Sequence, residues 1–191
     1  MFTLATKITL LRIFMTPMVI LLLYFPGRLS CVLAAAAFVF AAITDLLDGY
    51  IARRSNTVTS MGKFLDPLAD KVLICSVLIM FVMLDWAPAW VVILMVCREL
   101  VVTGLRAIAI DEGIVLAADK FGKAKTVLQI VAIVPLILHF PILGHELWPI
   151  GEWLLYLALV LAIVSGVNYC YDFYSHLRRR NRAAMAEGGG T

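Results

Sequence analysis

The sequence predicts an all-α integral membrane protein with six transmembrane helices, and three observations support this fold class. Of the 191 residues, 63% are hydrophobic, and the mean hydropathy is +0.98. A soluble domain has only about 45–50% apolar residues. The apolar residues form separate runs divided by glycine, proline or charged residues, and the length suits about six spans at roughly 20 residues each. Lysine and arginine, finally, are concentrated in alternate connections.

Breaks in the apolar pattern predict where each helix begins and ends. Pro26-Gly27 ends the first helix, and a polar segment follows the second. Met1–Lys7 can lie along the membrane surface as a short helix. We expect one transmembrane domain over residues 1–177 and a basic, then glycine-rich, disordered tail over 178–191. The expected helices are Ile8–Phe25, Leu29–Arg53, Met61–Leu84, Ala89–Ile110, Lys120–Phe140 and Glu152–Leu177.

The distribution of basic residues predicts the orientation. With a cytoplasmic N-terminus, the outer segments contain only Arg28, and the connections at Asp85–Pro88 and Phe140–Gly151 contain no lysine or arginine. An excess of Lys and Arg marks the cytoplasmic side, so both termini are expected there. The outer ends carry the interfacial tryptophans Trp86, Trp90, Trp148 and Trp153.

Four carboxylates lie in one stretch between two apolar runs, on the cytoplasmic side of this topology. Asp45 and Asp48 are three residues apart, and Asp66 and Asp70 are four apart, so each pair shares a face of its helix. Carboxylates at membrane depth cost about 2.5–3.5 kcal/mol each on insertion scales, and they repel one another. A bound divalent cation offsets both the cost of placing these carboxylates in the membrane and their mutual repulsion.

Small residues accompany the acids and leave room for a ligand. Gly49 and Ala52 follow the first pair, and Gly62 precedes the second, while Arg53 and Lys71 add positive charge at the rim. Oxygen-rich sites of this kind suit Mg²⁺ or Mn²⁺, with substrate phosphates completing the coordination shell. The alternative is a set of helix-end acids paired with neighbouring lysines and arginines.

These residues form the pattern Asp-x2-Asp-Gly-x2-Ala-Arg-x8-Gly-x3-Asp-x3-Asp over Asp45–Asp70, which resembles the signature of the CDP-alcohol phosphotransferases. That resemblance implies a six-helix dimer that transfers a phosphatidyl-type group from a CDP-linked donor to an alcohol and releases CMP. It implies that Asp45, Asp48, Asp66 and Asp70 bind the metal and that Asp70 is the general base. It also implies that Asp48, Gly49, Ala52, Arg53 and Gly62 bind the donor. Because no Ser, His or Cys near the motif suggests a nucleophile, we expect direct in-line attack at the phosphorus that bears the lipid, without a covalent enzyme intermediate.

A second group of polar residues follows on helices 4 and 5. Arg98 and Glu99 interrupt an apolar run, and Glu99 and Arg106 are seven residues apart, about 20° from a common face. A cationic pocket suits a phosphate on the acceptor. Anchoring to anionic lipid headgroups is the alternative for these cations. The predicted acceptor-phosphate residues are Arg98, Arg106, Lys123, Lys125 and Thr126.

The run from Arg98 to Gln129 resembles the phosphatidylglycerophosphate synthases of bacteria. This resemblance implies CDP-diacylglycerol as donor, sn-glycerol 3-phosphate as acceptor and membrane lipids as surroundings. It implies a multi-pass homodimer in the bacterial cytoplasmic (inner) membrane, an active site facing the cytoplasm and no nucleic-acid partner.

Other functions fit parts of the pattern. The same chemistry with inositol phosphate, or with phosphatidylglycerol as in cardiolipin synthesis, would use the same acids. A prenyl-transferring enzyme also uses Asp-rich motifs, but typically on two separated repeats, whereas one block holds all four acids here. A divalent-cation transporter would need a polar path to the outer side, and the outer halves of helices 2 and 3 carry no polar line.

Overall fold

A computed structural model describes the backbone of residues 4–55, 60–111, 120–142 and 144–188, and the side chains of residues 11–44, 71–109, 124–142 and 144–178. This part of the chain contains six α-helices and no strand, which confirms the all-helical prediction. The helices are α1 (Leu4–Tyr24), α2 (Arg28–Ser55), α3 (Ser60–Met83), α4 (Ala89–Asp111), α5 (Lys120–Ile137) and α6 (Trp148–Gly188).

The helix ends differ from expectation mainly at α1 and α6. Helix α1 begins at Leu4 and is continuous through Lys7, without a separate surface helix over the described residues. Helix α6 begins at Trp148, because Pro149 fits the first turn of a helix. It extends to Gly188 through the residues expected to form the tail. Arginine, alanine, methionine and glutamate favour helix there, and the first glycines come only at the end.

The helices that pack most extensively form a closed ring in the order α1–α2–α5–α6–α4–α3. The largest interface joins α5 and α6. Buried apolar side chains from all six helices fill the centre, among them Val19, Phe38, Phe81, Met95, Ile133 and Leu155. Over the described residues, α2 and α3, although consecutive in sequence, each pack mainly against α1.

Helix α3 ends in a hydrogen-bonded cap that positions the connection to α4. The amide of Trp86 donates to the carbonyl of Phe81 at 2.8 Å, and the amide of Asp85 donates to the carbonyl of Val82 at 3.2 Å. Asp85 takes the left-handed conformation, with φ of 58°, and the Phe81 and Trp86 rings lie 6.0 Å apart. This is the Schellman arrangement, with aspartate at the position that glycine usually occupies.

Within the described residues, Trp148–Arg178 is the one helix long and apolar enough to cross a membrane. Four further apolar helical stretches are shorter, namely Leu11–Tyr24, Arg28–Thr44, Lys71–Met83 and Ala124–Ile137. These stretches lie on four of the helices for which the sequence predicts spans.

Gly151 allows α6 to approach α5, and its replacement by alanine is expected to destabilise the bundle. A Cβ atom there would lie 2.9 Å from Cγ of Leu136 and 3.0 Å from both the carbonyl oxygen of Ala132 and the amide nitrogen of Leu136. Backbone atoms of a packed helix cannot yield locally, so we expect a loss of about 1–3 kcal/mol. Thermal unfolding of the variant and the wild type in detergent measures this loss of stability.

The control for this variant is Gly104→Ala, where an added Cβ has no heavy atom within 4 Å. Since alanine is favoured over glycine in a helix by about 1 kcal/mol, this change should leave the unfolding temperature equal or higher. An unfolding temperature for Gly151→Ala that matched Gly104→Ala would contradict the close α5–α6 contact.

Candidate active site

The four acids of the motif lie on two helical segments. Asp45, Asp48, Gly49, Ala52 and Arg53 belong to α2, and Gly62, Asp66 and Asp70 belong to α3. Because both segments are helical, the three- and four-residue spacings place each pair of acids on one face of its helix. The side chains of all these residues lie outside the described side chains, so their roles stay predictions.

Helix α1 contributes a buried arginine between the two acid-bearing helices. Arg12 is 3% exposed and lines a small cavity of about 10 Å³ together with Ala41 and Ala42 of α2 and Leu73 and Ile74 of α3. Ala41 lies four residues before Asp45, and Ile74 lies four residues after Asp70. The ring therefore places a positive charge about one helical turn from each half of the motif.

Glu99 is the centre of a buried ion cluster that joins three helices. Its carboxylate, 3% exposed, forms ion pairs with Lys71 of α3 and Lys125 of α5. The Nη1 atom of Arg98, on α4 itself, lies 3.1 Å from the same carboxylate. Lys125 is only 1% exposed. We refer to Glu99, Lys71, Arg98 and Lys125 as the Glu99 cluster.

Arg98 extends the cluster to a fourth helix. Its Nε donates to the carbonyl oxygen of Ala162 at 2.9 Å, and its Nη2 donates to Oγ of Ser165 at 2.9 Å, both on α6. A Cβ atom at Gly166 would lie 3.2 Å from Cγ of Arg98, so glycine leaves room for the arginine stem. Hydrogen bonds to a neighbouring helix offset the cost of a buried guanidinium.

The cluster can stabilise an anion. Three cations contact one carboxylate in a region largely screened from water. Electrostatic interactions are stronger there than at an exposed surface. Lys71 directly follows Asp70 in α3, so this group of cations begins one residue from the acidic motif. Positive charge beside a carboxylate-rich segment suits a reaction that joins two phosphate-bearing substrates.

The predicted acceptor-phosphate residues lie in different environments in the structure. Lys125 is buried in the Glu99 cluster, and Thr126 next to it is half-buried. Arg106 is exposed, and its guanidinium lies 5.8 Å from the ring centre of Tyr169 on α6, a cation–π contact. Arg98 is held by Glu99 and α6. Lys123 lies outside the described side chains.

Sequence reasoning did not identify Glu99 as the shared partner of three cations, nor Ser165 as a partner of Arg98. One signal for Glu99 exists in the sequence, because a glutamate beside an arginine within an apolar helix needs compensating charge. Nothing in the sequence indicates which lysines supply it. Gln129, one turn after Lys125, is also buried, and its Nε2 has no hydrogen-bond partner among the described residues.

No group of three His, Cys, Asp or Glu side chains that can hold a metal ion occurs among the described residues. The side chains of the four acids of the motif are not among those described. The donor set that the sequence offers for a metal is therefore the motif itself, four carboxylates on two helical segments.

Comparison with known protein families identifies the family of this chain. The CDP-alcohol phosphatidyltransferase model matches residues 2–164, which include both halves of the motif and the Glu99 cluster. The chain belongs to the CDP-alcohol phosphatidyltransferase family. It is therefore a transferase, and the resemblance inferred from the motif is confirmed.

Relatives within the CDP-alcohol phosphatidyltransferases match over most of their length. A CDP-diacylglycerol–glycerol-3-phosphate 3-phosphatidyltransferase of Bacillus subtilis is 42% identical over 195 residues, covering 95% of this chain and 100% of the relative. A protein of the same name from Rickettsia typhi is 40% identical, with 85% and 92% covered. A probable phosphatidylglycerophosphate synthase of Mycobacterium tuberculosis is 41% identical, with 87% and 79% covered.

Proposed function

We propose that this chain transfers the phosphatidyl group of CDP-diacylglycerol to sn-glycerol 3-phosphate, giving phosphatidylglycerophosphate and CMP. The names of the relatives support this reaction. Among the structural observations, the Glu99 cluster carries most weight. It supplies positive charge that suits a phosphorylated acceptor, and one of its cations, Lys71, directly follows Asp70.

The enzyme spans the bacterial cytoplasmic (inner) membrane six times, with both termini and the active site on the cytoplasmic side, and it works as a homodimer. The six helices, the spanning length of Trp148–Arg178 and the lysine-free outer connections support this topology. The acidic motif and the Glu99 cluster then open to the compartment that contains a soluble glycerol 3-phosphate.

The motif fits a hard divalent cation. Its carboxylates provide only oxygen ligands, which Mg²⁺ and Mn²⁺ prefer, and the helical backbone keeps the two acids of each pair on one face. Asp45, Asp48, Asp66 and Asp70 would hold the ion. When bound, it neutralises charge on the donor diphosphate and on the CMP leaving group.

Other steps of the reaction are assigned to residues of the motif. Asp70 accepts the proton from the acceptor hydroxyl as its oxygen attacks the phosphorus that bears the lipid. The bond from that phosphorus to the CMP oxygen breaks in the same in-line displacement, so no enzyme nucleophile is needed. Gly49, Ala52 and Gly62 leave space for the donor nucleotide, and Asp48 and Arg53 contact it.

The acceptor phosphate binds beside the Glu99 cluster. Arg106, Lys123, Lys125 and Thr126 contact it, and the contacts of Arg98 with α6 and Glu99 support the same pocket from behind. Glu99 holds Lys125 in place, and the cations of the cluster attract the phosphate.

Replacing Arg106 by alanine is expected to raise the KM for glycerol 3-phosphate much more than the KM for CDP-diacylglycerol. Loss of a hydrogen bond to a charged group costs about 1.5–3 kcal/mol, which corresponds to about a 10- to 100-fold higher acceptor KM. Steady-state kinetics in mixed micelles measure both constants. Arg28→Ala, at the other end of the bundle, is the matched control, and equal effects on both substrates would remove Arg106 from the acceptor site.

The overall reaction is tested by release of CMP from CDP-diacylglycerol with glycerol 3-phosphate, inositol phosphate, phosphatidylglycerol and serine compared side by side. We expect turnover with glycerol 3-phosphate, its loss on treatment with EDTA and its recovery with Mg²⁺ or Mn²⁺. Faster turnover with another acceptor would reassign the acceptor, and undiminished turnover in EDTA would contradict the metal-assisted mechanism.

A further inference from the structure

A cavity of about 400 Å³ opens at the end of the bundle opposite the acidic motif. It lies where α3 ends and α6 begins, and its lining includes Asp85, Trp86, His139, Trp148 and Glu152. None of these residues belongs to the proposed catalytic machinery. The volume is in the range of small-ligand sites, about 300–1,000 Å³.

Stacked aromatic rings form one wall of this outer cavity. The His139 and Trp86 rings are nearly parallel, at 6° with centres 4.5 Å apart, and the Trp148 ring centre lies 5.3 Å from that of His139. Burial lowers the pKa of His139, although the charge of Glu146 opposes this. The imidazole is therefore largely neutral at pH 7 and adds no competing positive charge.

Two carboxylates provide the charge of the outer cavity. Asp85 lies in the connection after α3, and Glu152 lies in the first turns of α6, where the hydroxyl of Tyr156 donates to its Oε1 at 3.1 Å. The connections 84–88 and 138–147 contain no lysine or arginine in the sequence. Negative charge here is thus not balanced by a nearby cationic side chain of these connections.

This combination indicates the ligand. A metal ion needs converging carboxylate or imidazole ligands, and the described residues contain no such group of three. A neutral ligand can donate hydrogen bonds to the carboxylates but gains nothing from their negative charge. A substituted ammonium ion, by contrast, is attracted both by carboxylates and by the faces of tryptophan rings.

We propose that the outer cavity binds a substituted ammonium ion, carried either by a phospholipid headgroup or by a soluble amine. The ammonium group lies between the carboxylates of Asp85 and Glu152, and the indoles of Trp86 and Trp148 cover its apolar substituents. The site is separate from the donor and acceptor sites and does not depend on the proposed reaction.

Titration of the purified enzyme with choline and ethanolamine in a non-ionic maltoside detergent, followed by tryptophan fluorescence, tests the proposal. The neutral analogue 3,3-dimethylbutan-1-ol has the shape of choline without its charge. We expect a saturable change with choline that the alcohol does not produce. Because loss of one partly exposed charge pair costs at most about 1 kcal/mol, Asp85→Asn and Glu152→Gln should each raise the choline Kd about fivefold.

These variants are suited to the test because they conserve the local structure. Asparagine adopts the left-handed conformation as readily as aspartate, and glutamine keeps an oxygen that accepts from Tyr156. Asp172→Asn, which removes an exposed carboxylate elsewhere on α6, should leave the choline Kd unchanged, and CMP release should be unchanged in all three variants. An equal response to choline and the alcohol, or equal Kd values for all variants, would overturn the proposal.

A second arm distinguishes the two sources. The enzyme is reconstituted in nanodiscs of phosphatidylglycerol with or without phosphatidylethanolamine, and retained lipids are identified by native mass spectrometry. Retention of phosphatidylethanolamine by the wild type, but not by the Asp85→Asn, Glu152→Gln double variant, supports a headgroup site. Choline binding without such retention supports a site for a soluble amine.

Discussion

Replacement of Asp70 by asparagine is expected to abolish turnover while the enzyme still binds donor and metal. Asparagine keeps the size and one oxygen ligand of aspartate but cannot accept the proton of the attacking hydroxyl. General-base catalysis contributes about 10²- to 10⁴-fold, and kcat for CMP release should fall by that factor. Binding of CDP-diacylglycerol, measured by protection against thermal unfolding, should persist.

Asp172→Asn is the control for this variant, because it removes an exposed carboxylate of α6 that no described contact links to the motif. It should retain full activity. Full activity in Asp70→Asn would exclude Asp70 as the general base. Loss of donor protection together with turnover would assign Asp70 to binding alone.

Replacement of Glu99 by glutamine is expected to have the largest effect on stability. The change leaves Lys71, Arg98 and Lys125 without their shared carboxylate, and Lys125 is almost completely buried. Removing one partner of a buried ion pair costs about 3–5 kcal/mol. We therefore expect a markedly lower unfolding temperature and a loss of acceptor binding.

A double variant separates the electrostatic cause from a general packing defect. Lys125→Met in the Glu99→Gln background removes the buried cation that has lost its ion pair with Glu99, so part of the lost stability should return while acceptor affinity stays low. Thermal unfolding and the acceptor KM report the two effects separately. If the double variant were as unstable as the sum of its single variants, the Glu99–Lys125 pair would not be coupled.

Local sequence patterns predicted the helices well because proline, glycine and charge interrupt apolar runs at most of their ends. The start of α4 at Ala89 and of α5 at Lys120 are as expected. The C-terminal end of α6 is further along the chain than expected, since nothing between Arg178 and Glu187 breaks a helix. Helix propensity was a better guide there than the end of the apolar run.

The candidate site was predictable only in part. The Asp45–Asp70 pattern is local in sequence, so spacing alone indicates which acids share a face. The partners of Glu99 are not local, because Lys71 lies on α3 and Lys125 lies on α5. Spacing placed Glu99 near one face with Arg106, whereas the three-dimensional packing brings its carboxylate to two lysines from other helices.

The Glu99 cluster also has a consequence for how the chain is made. Its members are synthesised in the order Lys71, Arg98, Glu99, Lys125, and domains form from the N-terminus as the chain emerges. In the proposed topology, the contact between Arg98 and Glu99, which are adjacent on α4, pairs the two central charges of this helix before the later helices are made. The remaining contacts form only after α5, which carries Lys125, and α6, which carries the carbonyl of Ala162, have been synthesised. A nascent chain that stops before α6 therefore holds its acidic motif but not the finished arrangement of cations beside it.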